Sequence, residues 1–237
     1  MRHRTLIGYS WLSVTLLCVG LLGCHPGRLL EVRPWLRSNP SDFDLLENAP
    51  PERHLTYALA YETQGEFKQS LQHYRIACQD ESLLSQARLG MARVSFLRGQ
   101  SRKALSWARE AMDLDGSLSS DLNDFLWAQA TLDNTPRASV DLARLAVENS
   151  QEHRAGCLDT LAFIYIQRGK LVEAEKSLDQ AQQAISQDMA KEIPALQAWI
   201  LFHRAVIAER KGNASAQQEF LAKAEKWAEI AQIRLRP

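Results

Sequence analysis

The stretch from Leu158 to Ala181, LDTLAFIYIQRGKLVEAEKSLDQA, shows the apolar period that governs most of the chain. Leu158, Leu161, Ala162 and Tyr165 recur at spacings of three and four and so share one helix face. Gly169 stands where that helix must stop, because glycine takes the left-handed conformation of a helix C-terminus without steric cost. Leu171, Ala174, Leu178 and Ala181 then restart the period. The pattern predicts two short helices with a turn between them, and small residues at Ala162 and Ala174 let their backbones approach closely. Such a pair cannot bury both of its faces alone and needs neighbours.

The same punctuation recurs. Gly65, Gly99, Asn134 and Gly169 follow one another about every 34–35 residues, and Gly212 follows after about 43. The longer interval predicts an insertion from about Gln182 to Ala195. There Ala184, Ile185, Met189 and Ile193 extend the preceding helix until it breaks at Pro194. Pro51 is placed for a helix start and Pro136 for a turn, so no proline interrupts a predicted helix. The last helix is expected to run on from Ala222 to Arg236 as a cap, with Trp227 and Ile230 on one side and Lys223, Lys226 and Glu229 on the other.

A helix–turn–helix unit of this length carries further marks. Leu158, Leu161, Ala162, Tyr165, Ala174 and Leu178 fall on the W, L, G, Y, A and F places of the tetratricopeptide consensus. Tyr57, Ala58, Tyr61, Ser70 and Tyr74 do so in a first unit, and Met91, Ala92, Ser95, Ala104 and Ala108 in a second. Leu126, Trp127, Ala130, Ser139 and Ala143 make a third, and Arg204, Ala205, Ala208, Gln217 and Leu221 a fifth. A later small position is alanine in every unit: Ala77, Ala111, Ala146, Ala181 and Ala224. The chain therefore resembles the tetratricopeptide-repeat family over about residues 51–230. Trp127 departs from it by standing where a small residue belongs, Asn134 by replacing the turn glycine, and Arg204 and Gln217 by their polarity. The resemblance implies an all-α fold, a right-handed superhelix of about five helical hairpins with a C-terminal capping helix.

Ahead of the repeats, Arg2, His3 and Arg4 precede an apolar run from Leu6 to Leu22, the pattern of a secretory signal. The run ends in LLGC, Leu21 to Cys24, which resembles the lipobox of bacterial lipoproteins. That resemblance implies cleavage before Cys24, a thioether-linked diacylglycerol on its sulfur and acylation of its amine, an anchor strong enough to hold a protein at a membrane. His25 after the cysteine implies the outer membrane under the enterobacterial sorting rule. An uncleaved membrane helix is the other reading, although Leu6 to Leu22 is slightly short of the roughly 20 residues that span a bilayer. Five of the eight prolines (Pro26, Pro34, Pro40, Pro50 and Pro51) follow, so the segment to residue 50 reads as an extended tether. Ser41 could cap one helical turn at Asp42–Glu47. The expected division is a signal peptide at 1–23, a tether at 24–50 and a helical-repeat domain at 51–237.

Charge removes one class of partner. With 28 basic and 28 acidic residues the chain is neutral, and loss of Arg2 and Arg4 with the signal leaves 26 against 28, a net of −2. Nothing in that balance favours nucleic acid. No HExxH, CxxC, GxSxG or phosphate-binding loop occurs, no two histidines stand at ligand spacing, and no cofactor is implied, so no enzymatic role is expected. Asn213-Ala-Ser215 matches a glycosylation sequon. Cys78 and Cys157 lie two to three repeats apart, too far for a disulfide if each repeat touches mainly its neighbours, and read as small buried residues.

In tetratricopeptide proteins the first helix of each unit lines a concave groove. By that resemblance Leu89, Arg93, Phe96, Phe163, Ile166, Trp199 and Phe202 face it, with Leu55, Leu59, Asp159 and Leu132 in the same rows. So apolar a wall implies capture of an amphipathic helix or extended peptide. Two alternatives stand beside it: the tether, with Val32, Trp35, Leu36, Phe43 and Leu45, fills the groove, or the register is off by one residue and some of these side chains are core. The expected function is a periplasmic, outer-membrane-anchored adaptor or assembly factor for an envelope complex, pilotin-like or a scaffold for outer-membrane assembly, with self-association possible. The alternative is a structural subunit of a secretion or pilus machine held by an uncleaved helix.

Overall fold

Glycine closes four of the helices, and the backbone shows how. In the computed structural model Gly65, Gly99, Gly169 and Gly212 have φ between 69° and 77°, the left-handed region. At Gly169 its own N–H donates to the Ile166 carbonyl and that of Lys170 to Tyr165, at 3.0 and 2.9 Å, which satisfies carbonyls the helix end would leave bare. The structure describes residues 49–132, 134–187 and 193–235. The expected signal peptide at 1–23, the lipid site Cys24, the tether at 24–50 and the Ser41-capped turn lie outside or almost wholly outside them.

The described residues form ten α-helices: α1 Pro51–Thr63, α2 Phe67–Ala77, α3 Leu84–Leu97, α4 Ser101–Leu114, α5 Ser119–Thr131, α6 Arg137–Asn149, α7 Arg154–Gln167, α8 Leu171–Gln187, α9 Ile193–Arg210 and α10 Ala214–Ala231. They contain no strand, and the fold is all-α. Consecutive helices pair, α1 with α2 through α9 with α10, and the five hairpins pack on one another in chain order. The links are α2 on α3, α6 on α7 and α8 on α9, with α1 on α3, α5 on α7 and α7 on α9 beside them. The second and third hairpins join differently, through α4 on α6. That extra neighbour explains why α6 buries Val140, Leu142, Leu145 and Val147 as well as its small residues.

The alanine column is the seam of these hairpins. Ala77, Ala111, Ala146, Ala181 and Ala224 are all buried, none more than 1% exposed. Between hairpins one and two, and again between two and three, Asp-x-Ser launches a short 3-10 turn. Asp80 accepts from the Ser82 N–H at 2.8 Å and Asp115 from the Ser117 N–H at 3.0 Å. Asn213, the expected sequon, caps α10 by accepting from the Ala216 N–H.

Three expectations need correction. Asn134 is not the turn residue: its N–H donates to the Gln129 carbonyl, the bond that Gln100 and Lys170, each following a turn glycine, make to Ser95 and Tyr165. The first helix of the third unit is thus set one residue earlier, which puts Leu126, 1% exposed, in the small-residue place and frees Trp127 to point elsewhere. Next, the last helix runs on past Ala222 as expected but stops short of Arg236. α10 is a single 18-residue helix that ends at Ala231, with Gln232 left-handed beyond it, and Ile230 is 65% exposed instead of packed. Finally, α8 does extend, to Gln187, but Pro194 sits in the first turn of α9 and not at a break before it. Arg204 is tolerated because Asp179 of α8 accepts from its guanidinium at 2.8 Å.

Gly90, inside α3, is constrained by space and not by turn geometry. A methyl group there would overlap the buried Tyr74 ring of α2. Alanine for glycine in a helix interior normally stabilises by about 1 kcal/mol. Gly90→Ala should instead cost about 1–3 kcal/mol in urea unfolding, because neither the ring nor the helix can retreat in a packed core.

Candidate functional site

The first helices of the hairpins carry the residues expected to line a groove, and the structure divides them. Leu89, Phe96, Ile166 and Phe202 are 1–9% exposed and belong to the apolar cores, so they are packing residues, not groove lining. The physical reason is that helices of successive hairpins cross closely enough to enclose Leu89, Phe96 and Ile166, while Phe202 belongs to the core of the last hairpin with Leu201 and Ala224. Phe96 meets Phe125 of α5 edge-on, with ring centroids 5.4 Å apart. Phe163 and Trp199 are half-buried. Leu59 and Leu132 remain 50% and 57% exposed.

Arg93 is likewise engaged. Its Nε donates to Glu62 Oε1 at 2.8 Å and its Nη2 to Glu62 Oε2 at 3.0 Å, a two-pronged contact from α3 to α1. The Tyr74 hydroxyl donates to the same Glu62 oxygen at 2.6 Å and accepts from Arg93 at 3.0 Å. Burial works against the guanidinium charge, but the hydrogen bonds and charge of Glu62, with Tyr74, together outweigh it and hold Arg93 firmly protonated. Burial, reinforced by Glu62 and opposed by Arg93, pushes the Tyr74 hydroxyl far up. The cluster ties hairpin one to hairpin two and leaves Arg93 no free charge for an acidic ligand.

Hairpins three to five converge on His203. Its Nδ1–H donates to Asp159 Oδ1 at 2.8 Å, and both side chains are nearly excluded from solvent, 2% and 4% exposed. Phe163 stacks on the imidazole with centroids 5.0 Å apart and planes 13° from parallel. Trp127, Trp199 and Phe202 surround it at 5.8, 5.9 and 6.0 Å. Trp127 also touches Phe163 at 5.1 Å and Trp199 at 5.2 Å, so α5 and α9 meet through their rings across α7. Contacts of this kind each contribute about 0.5–1.5 kcal/mol beyond the area they bury.

A histidine oriented by an aspartate resembles the base of a nucleophilic enzyme; the rings packed on this one are those of Trp127, Phe163, Trp199 and Phe202. Cys157 is a free thiol, buried, and burial pushes it up to about 11, away from the reactive thiolate. Cys78 is also free. Among the described residues no group of three His, Cys, Asp or Glu is placed to hold a metal ion, and no helix is long and apolar enough to cross a membrane.

Sequence reasoning placed Asp159 and Phe163 in one row but missed His203 and gave Trp127 the wrong environment. The signal for Trp127 was its size: a tryptophan cannot fill a place kept for glycine or alanine, so the register had to move. No protein-family model matches the chain, and no curated protein matches it.

Asp159→Ala should cost about 2–3 kcal/mol by leaving the buried His203 Nδ1–H without its acceptor. In a double-mutant cycle with His203→Leu the two losses should fall well short of additive, as measured by denaturant unfolding followed through Trp127 and Trp199 fluorescence.

Proposed function

We propose that the protein is a non-catalytic helical-repeat adaptor, built as a tetratricopeptide-like right-handed superhelix and tethered through lipid on Cys24 to the outer membrane of a cell envelope. The observation that carries this reading is the packing of five hairpins in chain order, whose first helices keep apolar side chains incompletely buried. Leu59 and Leu132 are the most exposed of these, with Phe125, Trp127, Phe163 and Trp199 half-buried. Apolar surface carried on a row of rigid helices suits a partner polypeptide, which gains by burying its own apolar side chains there. Assembly of an envelope complex is the task this combination of anchor and binding surface serves best. The ion pairs and hydrogen bonds of Arg93 and His203 act within the protein, so recognition rests on the apolar side chains more than on charge.

A photo-crosslinking phenylalanine analogue at Leu59 or Leu132, in the full chain in its native cells, should yield one crosslinked protein of the same mass from both positions. Val172 on α8, 73% exposed, is the control and should not yield it. Equal products from all three positions, or none from Leu59 and Leu132, would remove the adaptor reading. Separately, Cys24→Ser should abolish palmitate labelling and block processing. A membrane-bound wild-type protein that still begins at Met1 would instead favour the uncleaved helix.

A further inference from the structure

His54 of α1 and His73 of α2 meet inside the first hairpin. Their Nδ1 atoms are 2.8 Å apart, and the residues are 0% and 4% exposed. One ring must donate and the other accept; a first added proton leaves that bond possible but puts a charge where burial disfavours it, and a second removes the acceptor. In either arrangement the buried Nε2 of His54 has no hydrogen-bond partner.

Among the described residues no carboxylate forms an ion pair with either imidazole. From α1, Tyr61 stacks on His73 at 5.4 Å with planes 3° apart, and Tyr57 packs on both imidazoles. Glu62 of α1 and Arg93 of α3 bind each other and Tyr74 of α2. The 3-10 turn packed on α1 carries Asp80, whose carboxylate is turned onto Ser82, and Glu81, which is exposed. Burial first, and the neighbouring His54 second, push His73 down to about 4. The repeat architecture does not require imidazoles here either. Counted from the turn glycine, the corresponding residues of the fourth hairpin are Leu158 and Ser177, equally buried.

We infer that His54 and His73 form a proton-sensitive latch, closed while both rings are neutral and opened when acid forces a charge into the buried contact, so that α1 and α2 part from the array before the other hairpins. The direction follows from linkage. A histidine whose folded form resists protonation contributes stability that is complete above about pH 6.5 and drains away as the pH falls toward 4.

The test is residue-level hydrogen exchange on the full chain, corrected for the intrinsic pH dependence of exchange. Between about pH 7.5 and pH 4, protection in α1 and α2 should fall about a hundredfold more than in α9 and α10. The variant His54→Leu/His73→Phe should lose that extra sensitivity, and an unchanged hundredfold loss in it would overturn the proposal. Where that variant does not fold, imidazole NMR of the wild-type chain decides. His73 should stay neutral until below about pH 5 and titrate together with the loss of α1–α2 protection. Protonation near pH 6.5 with protection intact would overturn the latch.

Discussion

Alanine recurs at one buried place on the second helix of all five hairpins, and the rest of the array depends on how closely helices can lie there. A larger side chain at Ala77, Ala111, Ala146, Ala181 or Ala224 would push its neighbours away and leave gaps that leucine and isoleucine elsewhere could not fill, since protein interiors are packed to near crystal density. With the arms close, each hairpin presents an apolar flank too large to leave in water, and the next hairpin covers it. The left-handed glycines that end α1, α3, α7 and α9 then send the chain back at once, so the crossing stays tight.

Apolar burial holds the hairpins together, while polar contacts decide how each sits on the next. Glu62 and Arg93 join the first two. Arg144 of α6 donates to the Tyr165 hydroxyl of α7, and Arg168 reaches back to the Thr135 carbonyl at 2.8 Å, between the third and fourth. Asp159–His203 and Glu175–Lys211 join the last two, and Arg210 of α9 donates to the Ile166 carbonyl at the end of α7. A hydrogen bond has a direction and an apolar contact does not, so these side chains fix an angle that burial alone would leave loose. The aromatic rings around His203 extend this across three hairpins.

The all-helical character, the number of hairpins and the alanine seam were legible in the residues because each rests on local periodicity. A spacing of three and four puts side chains on one face whatever surrounds the helix, and a glycine stops a helix for reasons of its own backbone. The expected groove wall was read less well. Leu89, Phe96, Ile166 and Phe202 have the same periodicity whether they line a groove or meet a neighbouring helix, and only the distance between helices separates the two. The one-residue shift at Asn134 went unseen for a related reason: polar turn residues look alike, and the backbone bond to Gln129 is what identifies the place.

From the chain alone follow the helices, their turns and the small residues on which they cross, because these are consequences of steric and solvent preferences within a few neighbouring residues. The tertiary structure alone decided which apolar residues are hidden, that Arg93 is spent on Glu62, that Trp127 turns to meet Trp199, and that His54 faces His73 and His203 faces Asp159. Those pairings join residues 19 to 72 positions apart, and separation along a chain carries no information about contact until the hairpins between have been packed.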